Sequence, residues 1–68
     1  METEVLKKIK ILMIEREIET VEAAKQIGLH INYFRSIING TLVPGKKTAV
    51  RIEEWSDSKI KAHELMRL

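Results

Sequence analysis

A chain of 68 residues supports one small core at most, because a polypeptide this short withdraws only about 60% of its unfolded surface from water. It has no cysteine and two histidines, which excludes a disulfide framework and a thiolate or tetrahedral zinc site; helix packing, with or without dimerisation, must hold it together. The longest apolar run, Ile11 to Ile14, falls far short of the roughly 20 residues of a membrane span, and glutamates stand at the N-terminus where a secretory signal needs cations, so the expected location is the cytoplasm, with no membrane partner.

The formal net charge is +2, and its distribution says more than its sum. Residues 1–22 carry four Lys/Arg against six Glu, residues 52–68 carry three against four acids, and residues 23–51 carry five cations and no acid. Lys25, Arg35, Lys46, Lys47 and Arg51 therefore lie in a segment with no carboxylate to neutralise them. A polyanion such as DNA would meet that pattern favourably, and so would plain solvent.

In chain order, Val5, Leu6, Ile9, Leu12 and Met13 recur at helical spacing and predict a first helix over residues 4–16. Ile11 and Ile14 widen its apolar stripe, predicting contacts on two sides or an apolar surface. After Glu17-Ile18-Glu19 a second helix is expected from Thr20, with the Thr20 hydroxyl as its cap and Glu22 suited to the positive end of the dipole. Ala23, Ala24 and Ile27 form its inward face, and Gly28 ends it in the left-handed region.

A third helix is predicted from Ile31 to Asn39, with Phe34, Ile37 and Ile38 inward, Asn32, Arg35, Ser36 and Asn39 on the polar face, and Asn39-Gly40 as the stop. Thr41 to Gly45 reads as a loop. Lys46 to Trp55 reads as a fourth helix that buries Ala49, Ile52 and part of Trp55 before Ser56-Asp57-Ser58 breaks it. A short last helix is expected from Ala62 to Met66. With no repeat, low-complexity tract or linker, residues 1–68 read as a single domain.

The spacing of the second and third helices is more specific than two short helices and a turn. Counting from Thr20, a small residue holds the fifth position (Ala24), glycine the ninth (Gly28), apolar residues the eighth and tenth (Ile27, Leu29), and buried apolar residues the fifteenth and eighteenth (Phe34, Ile37). The alanine permits close helix approach, the glycine makes the turn without a Cβ clash, and the apolar pair holds one helix across the other.

Through Val21-Glu22-Ala23-Ala24-Lys25-Gln26-Ile27-Gly28-Leu29 and Phe34-Arg35-Ser36-Ile37-Ile38-Asn39-Gly40, the sequence resembles the helix-turn-helix family of phage Cro and C-repressor proteins. Val43 to Glu53 is similar to the loop and fourth helix of small Cro-like members, so the resemblance spans roughly residues 5–56. It implies an all-α, compact, four- to five-helix lambda-repressor-like domain with a central helix-turn-helix. It also implies a transcriptional regulator, a repressor by expectation, working as a homodimer that is weak without DNA, on a near-palindromic operator. The family often carries Ser one residue before Thr20, where this chain has Glu19, so capping by Thr20 would move the helix start by one residue.

In that geometry the third helix enters the major groove with its N-terminal half toward the bases. His30, Ile31, Asn32, Arg35 and Ser36 are the candidate base readers. Arg35 can donate twice to guanine O6 and N7, Asn32 can pair with adenine N6 and N7, and Ile31 can touch a thymine methyl. Thr20, Asn39, Lys46 and Lys47 are the candidate phosphate ligands; the two lysines oppose the dipole at their helix start, which favours a functional role for them. Tyr33 is either packed with a solvated hydroxyl or a phosphate donor.

A competing reading is a protein-binding adaptor or antitoxin that keeps the helix-turn-helix as scaffold and uses Leu65, Met66 and Leu68 as an adhesive edge. An enzyme is not expected: there is no cysteine nucleophile, no Gly-rich phosphate loop and no acid-base partner for Ser36 evident in the sequence. No cofactor or metal is expected.

Overall fold

The Ile-rich N-terminal segment follows its 3.6-residue period and not its strand propensity. The structure, a computed structural model, describes residues 4–67, and its elements are α1 (Glu4–Glu15), α2 (Thr20–Ile27), α3 (Ile31–Ile38), α4 (Lys46–Trp55) and α5 (Ala62–Leu65). The expected all-α architecture is what these residues form. Among the described residues there is no strand and no helix long and apolar enough to cross a membrane.

Val5, Leu6, Ile9, Leu12 and Met13 form the buried side of α1, as their spacing predicts. Ile11 and Ile14 are left exposed, which decides between the two expectations for them in favour of an apolar surface. All five helices contribute to one core, whose fully buried large side chains include Ile9, Phe34, Ile37, Ile52, Ile60 and Leu65. Small residues stand where α2 and α4 enter it: Ala23, Ala24 and Ala49 are buried and let the helix backbones approach.

Four helices end in the same hydrogen-bonding pattern, with a left-handed residue after the last turn and an N–H reaching back five residues. Ile18 donates to the Met13 carbonyl (3.1 Å), Leu29 to Ala24 (2.8 Å), Thr41 to Ser36 (3.0 Å) and Ser58 to Glu53 (3.0 Å). The left-handed positions in these four turns are Glu17 (φ 57), Gly28 (φ 95), Gly40 (φ 81) and Asp57 (φ 57), and Ser58 (φ 66) after Asp57 shares the conformation. Gly28 and Gly40 are the residues this conformation favours; Glu17 and Asp57 adopt it despite their Cβ atoms. The first helix accordingly stops at Glu15, one residue short of the expected end.

Polar contacts fasten the periphery. Arg16 lies over the Trp55 ring at 5.0 Å and donates to the Trp55 carbonyl (2.9 Å), and Trp55 Nε1 donates to Gln26 Oε1 (2.9 Å). The ends of α1, α2 and α4 are thereby tied together, and Trp55 is half-buried against the core. Buried Ser56 donates to the Glu53 carbonyl (2.9 Å) and accepts from the Ile60 N–H (3.0 Å), while Glu53 Oε1 accepts from the Ala62 N–H (2.8 Å). A carboxylate from α4 thus caps α5.

Two expectations need correction. The adhesive C-terminal edge is not available as drawn: Leu65 is fully buried in the core, Met66 is exposed, and Leu68 lies outside the described residues. Thr20 is not the cap of α2. Glu19 holds that position with an extended backbone and makes no side-chain cap bond, so Thr20 is the first helical residue. Its φ and ψ are already helical there, and the hydroxyl has no turn to reach across.

Candidate nucleic-acid interface

The turn between α2 and α3 depends on Gly28. Its positive φ redirects the chain, the Leu29 N–H closes on the Ala24 carbonyl, and Arg51 from α4 donates to the Gly28 carbonyl at 3.4 Å. Buried Ala24, Ile27, Phe34 and Ile37 then hold the two helices together. One side of α3 is committed to the core and the other is free to carry function.

Asn32, Arg35 and Asn39 follow one another at three- and four-residue spacing and are exposed on that free side. Among the described residues none of these three side chains enters a hydrogen bond or ion pair. A row of donors without intramolecular partners has its full capacity left for a ligand.

The other predicted base readers are partly engaged. His30 is the N-cap of α3, and its Nδ1 accepts from the Asn32 N–H at 3.1 Å. Ile31 is half-buried and packs against the core. The Ser36 hydroxyl donates to the Asn32 carbonyl at 3.1 Å, a local bond within the helix. Asn32 and Arg35 are thus the least constrained of the five.

Two flanking groups converge on α3. On one side, Arg35 and Thr20 line an open groove of about 450 Å³ together with Lys10 of α1, over an apolar floor of Met13, Ile14, Ile18 and Val21; Glu19 is the one acid on it. On the other, the Tyr33 hydroxyl lies 3.3 Å from Thr48 Oγ1, which joins the first turn of α3 to the first turn of α4. Lys46 and Lys47, the first residues of α4, are exposed immediately beside that contact, and Gly45 before them supplies no side-chain cap.

No family model, curated protein or solved structure matches the chain.

Lys10 and the Tyr33–Thr48 pair were not legible in the sequence as parts of a site. Lys10 falls in a helix that also carries Glu4 and Glu15, and only the packing of α1 against α3 brings it to Arg35. Of the two expectations for Tyr33, neither is met in full: the residue is half-buried, and its hydroxyl is joined to Thr48. Asn39, the C-cap of α3, is exposed and continues the free row one turn past Arg35.

The surface has a definite chemistry. Two planar groups able to make paired hydrogen bonds, Asn32 and Arg35, are exposed on α3; Lys10 of α1 shares a groove with Arg35, and exposed Lys46 and Lys47 begin the turn of α4 that Tyr33 meets. Planar, doubly hydrogen-bonding groups suit the edges of bases, and flanking ammonium groups suit a line of phosphates.

Proposed function

We propose that this chain is a sequence-specific duplex-DNA-binding regulator of transcription, a repressor of the Cro kind, that inserts α3 into the major groove. The observation carrying this reading is the unpartnered row of Asn32, Arg35 and Asn39 on the exposed side of the second helix of a helix-turn-helix. Arg35 and Asn32 read base edges, with His30, Ile31 and Ser36 beside them at the start of the helix. Thr20, Lys10, Asn39, Lys46 and Lys47 hold the two flanking phosphate backbones. Repression follows from occupancy, because a domain seated in the groove excludes other proteins from the same base pairs.

An adaptor or antitoxin role, the competing class, loses its main support once Leu65 is part of the core.

The reading is tested by titrating labelled random-sequence duplex DNA with the protein at several salt concentrations. Binding should weaken linearly in log–log form, with a slope set by the number of phosphates neutralised, about −0.9 for each. Binding that is absent at low salt, or indifferent to salt, would contradict it.

A further inference from the structure

We propose that a second copy of this chain docks against the outer face of α1, antiparallel to it, through Ile11 and Ile14. The two side chains lie one turn apart on the side of α1 opposite buried Ile9. Ile14 is 74% and Ile11 53% exposed, the highest values among the exposed large apolar residues of the described chain. The strip does not stop at α1, for Ile14 shares a groove with exposed Val21 and half-buried Ile18. A contiguous apolar strip on so small a domain marks a contact surface.

The order of charges along α1 identifies the occupant and its direction. Exposed Lys7, Lys8 and Lys10 precede the isoleucines, and exposed Glu15 and Glu17 follow them. A two-fold axis midway between Ile11 and Ile14 lays Ile11 of one copy on Ile14 of the other, and each basic half against an acidic end. A parallel copy would set lysines on lysines and glutamates on glutamates. The helix dipoles also favour the antiparallel arrangement. At the edges of this contact Lys10 comes opposite Glu17 of the second copy. Lys8, which already lies 3.6 Å from Glu64 on its own chain, stays at the rim.

The contact does not rest on the DNA reading. Lys10 and Ile14 line the Arg35 groove, so the strip borders it on that side, whereas Ile11 lines the opposite groove with Lys8, Glu15 and Lys59. Substitution of Ile11 therefore tests self-association without altering the Arg35 groove.

Sedimentation across a concentration series, without DNA, should move the wild type from monomer to dimer. Ile11→Arg, which sets two cations at the two-fold axis, should weaken the dimer by about tenfold or more, with helicity by circular dichroism unchanged. Val50→Arg, at an exposed apolar position on α4, should leave it intact. The chain has no cysteine, so direction can be read with single thiols. An equal mixture of Lys10→Cys and Glu17→Cys chains, exposed to a mild chemical oxidant, should form the mixed disulfide well beyond the statistical share that random pairing gives. A wild type that stays monomeric, an Ile11→Arg variant that dimerises normally, or a mixed disulfide at or below its statistical share would each overturn the proposal, and a monomeric wild type would leave DNA binding by a single copy standing.

Discussion

The hydroxyl of Tyr33 stands 3.3 Å from Oγ1 of Thr48, and that contact ties the first turn of α3 to the first turn of α4. Lys46 and Lys47 precede Thr48 in that turn of α4. Tyr33→Phe keeps the ring in the core and removes only the tether. It should lower stability by about 0.5–1.5 kcal/mol, the usual net value of one hydrogen bond. It should also weaken DNA binding by a similar factor on every sequence, since the phosphate ligands are loosened and the base readers are not. Thermal unfolding and anisotropy titrations on two unrelated duplexes check both parts.

Glu17 occupies a left-handed position, φ 57, at the end of α1. Its carboxylate makes no ion pair among the described residues, so little is lost with the side chain while the strain of the Cβ is relieved. Glu17→Gly should therefore stabilise the fold by up to about 1 kcal/mol, against a background loss of unfolded-state order. Gly28→Ala is the converse. An added Cβ would meet Arg51 Nη1 at an ordinary 3.6 Å, but φ stands at +95, so the backbone alone should cost about 1–2 kcal/mol. Paired urea titrations measure the two changes, which should have opposite sign.

His30 caps α3 through Nδ1. His30→Asn supplies another acceptor at the same position and should leave stability close to that of the wild type. His30→Ala should lower it by about 0.5–2 kcal/mol, the cost of an emptied N-cap. If the two substitutions are equally destabilising, the ring acts through packing and the cap assignment fails.

Much of this arrangement was legible because the sequence states it twice, in periodicity and in stop signals. The inward residues of all four longer helices followed from spacing, and Gly28 and Asn39-Gly40 marked two helix ends. The end of α1, where Glu17 carries the stop, was misplaced by one position, and so was that of α3, where Asn39 is the cap and Ile38 the last helical residue. Thr20 was misassigned because residue type alone favoured it as a cap over Glu19, whereas the extended backbone at Glu19 decides the matter. The C-terminal segment was obscure for a different reason. Ile60 and Leu65 are core residues only because Ser56 and Glu53 turn and cap the chain there, and such side-chain-to-backbone bonds leave no periodic trace.

The surface was legible in part. Asn32 and Arg35 emerged from the wheel of α3 alone, since the buried face of a helix defines the free one. Lys10 did not, because its place beside Arg35 is created by contact between elements distant in sequence.

Selection of bound sequences from random duplex DNA, run in parallel for the wild type, Arg35→Ala and Lys46→Ala, bears most directly on the role given to α3. The wild type should enrich a defined site containing guanine, and Arg35→Ala should lose the preference at that base pair, worth about 1–3 kcal/mol of discrimination. Lys46→Ala should enrich the same site at lower affinity, with the salt slope reduced by about one. Enrichment of an identical site by Arg35→Ala, at undiminished affinity, would contradict the account.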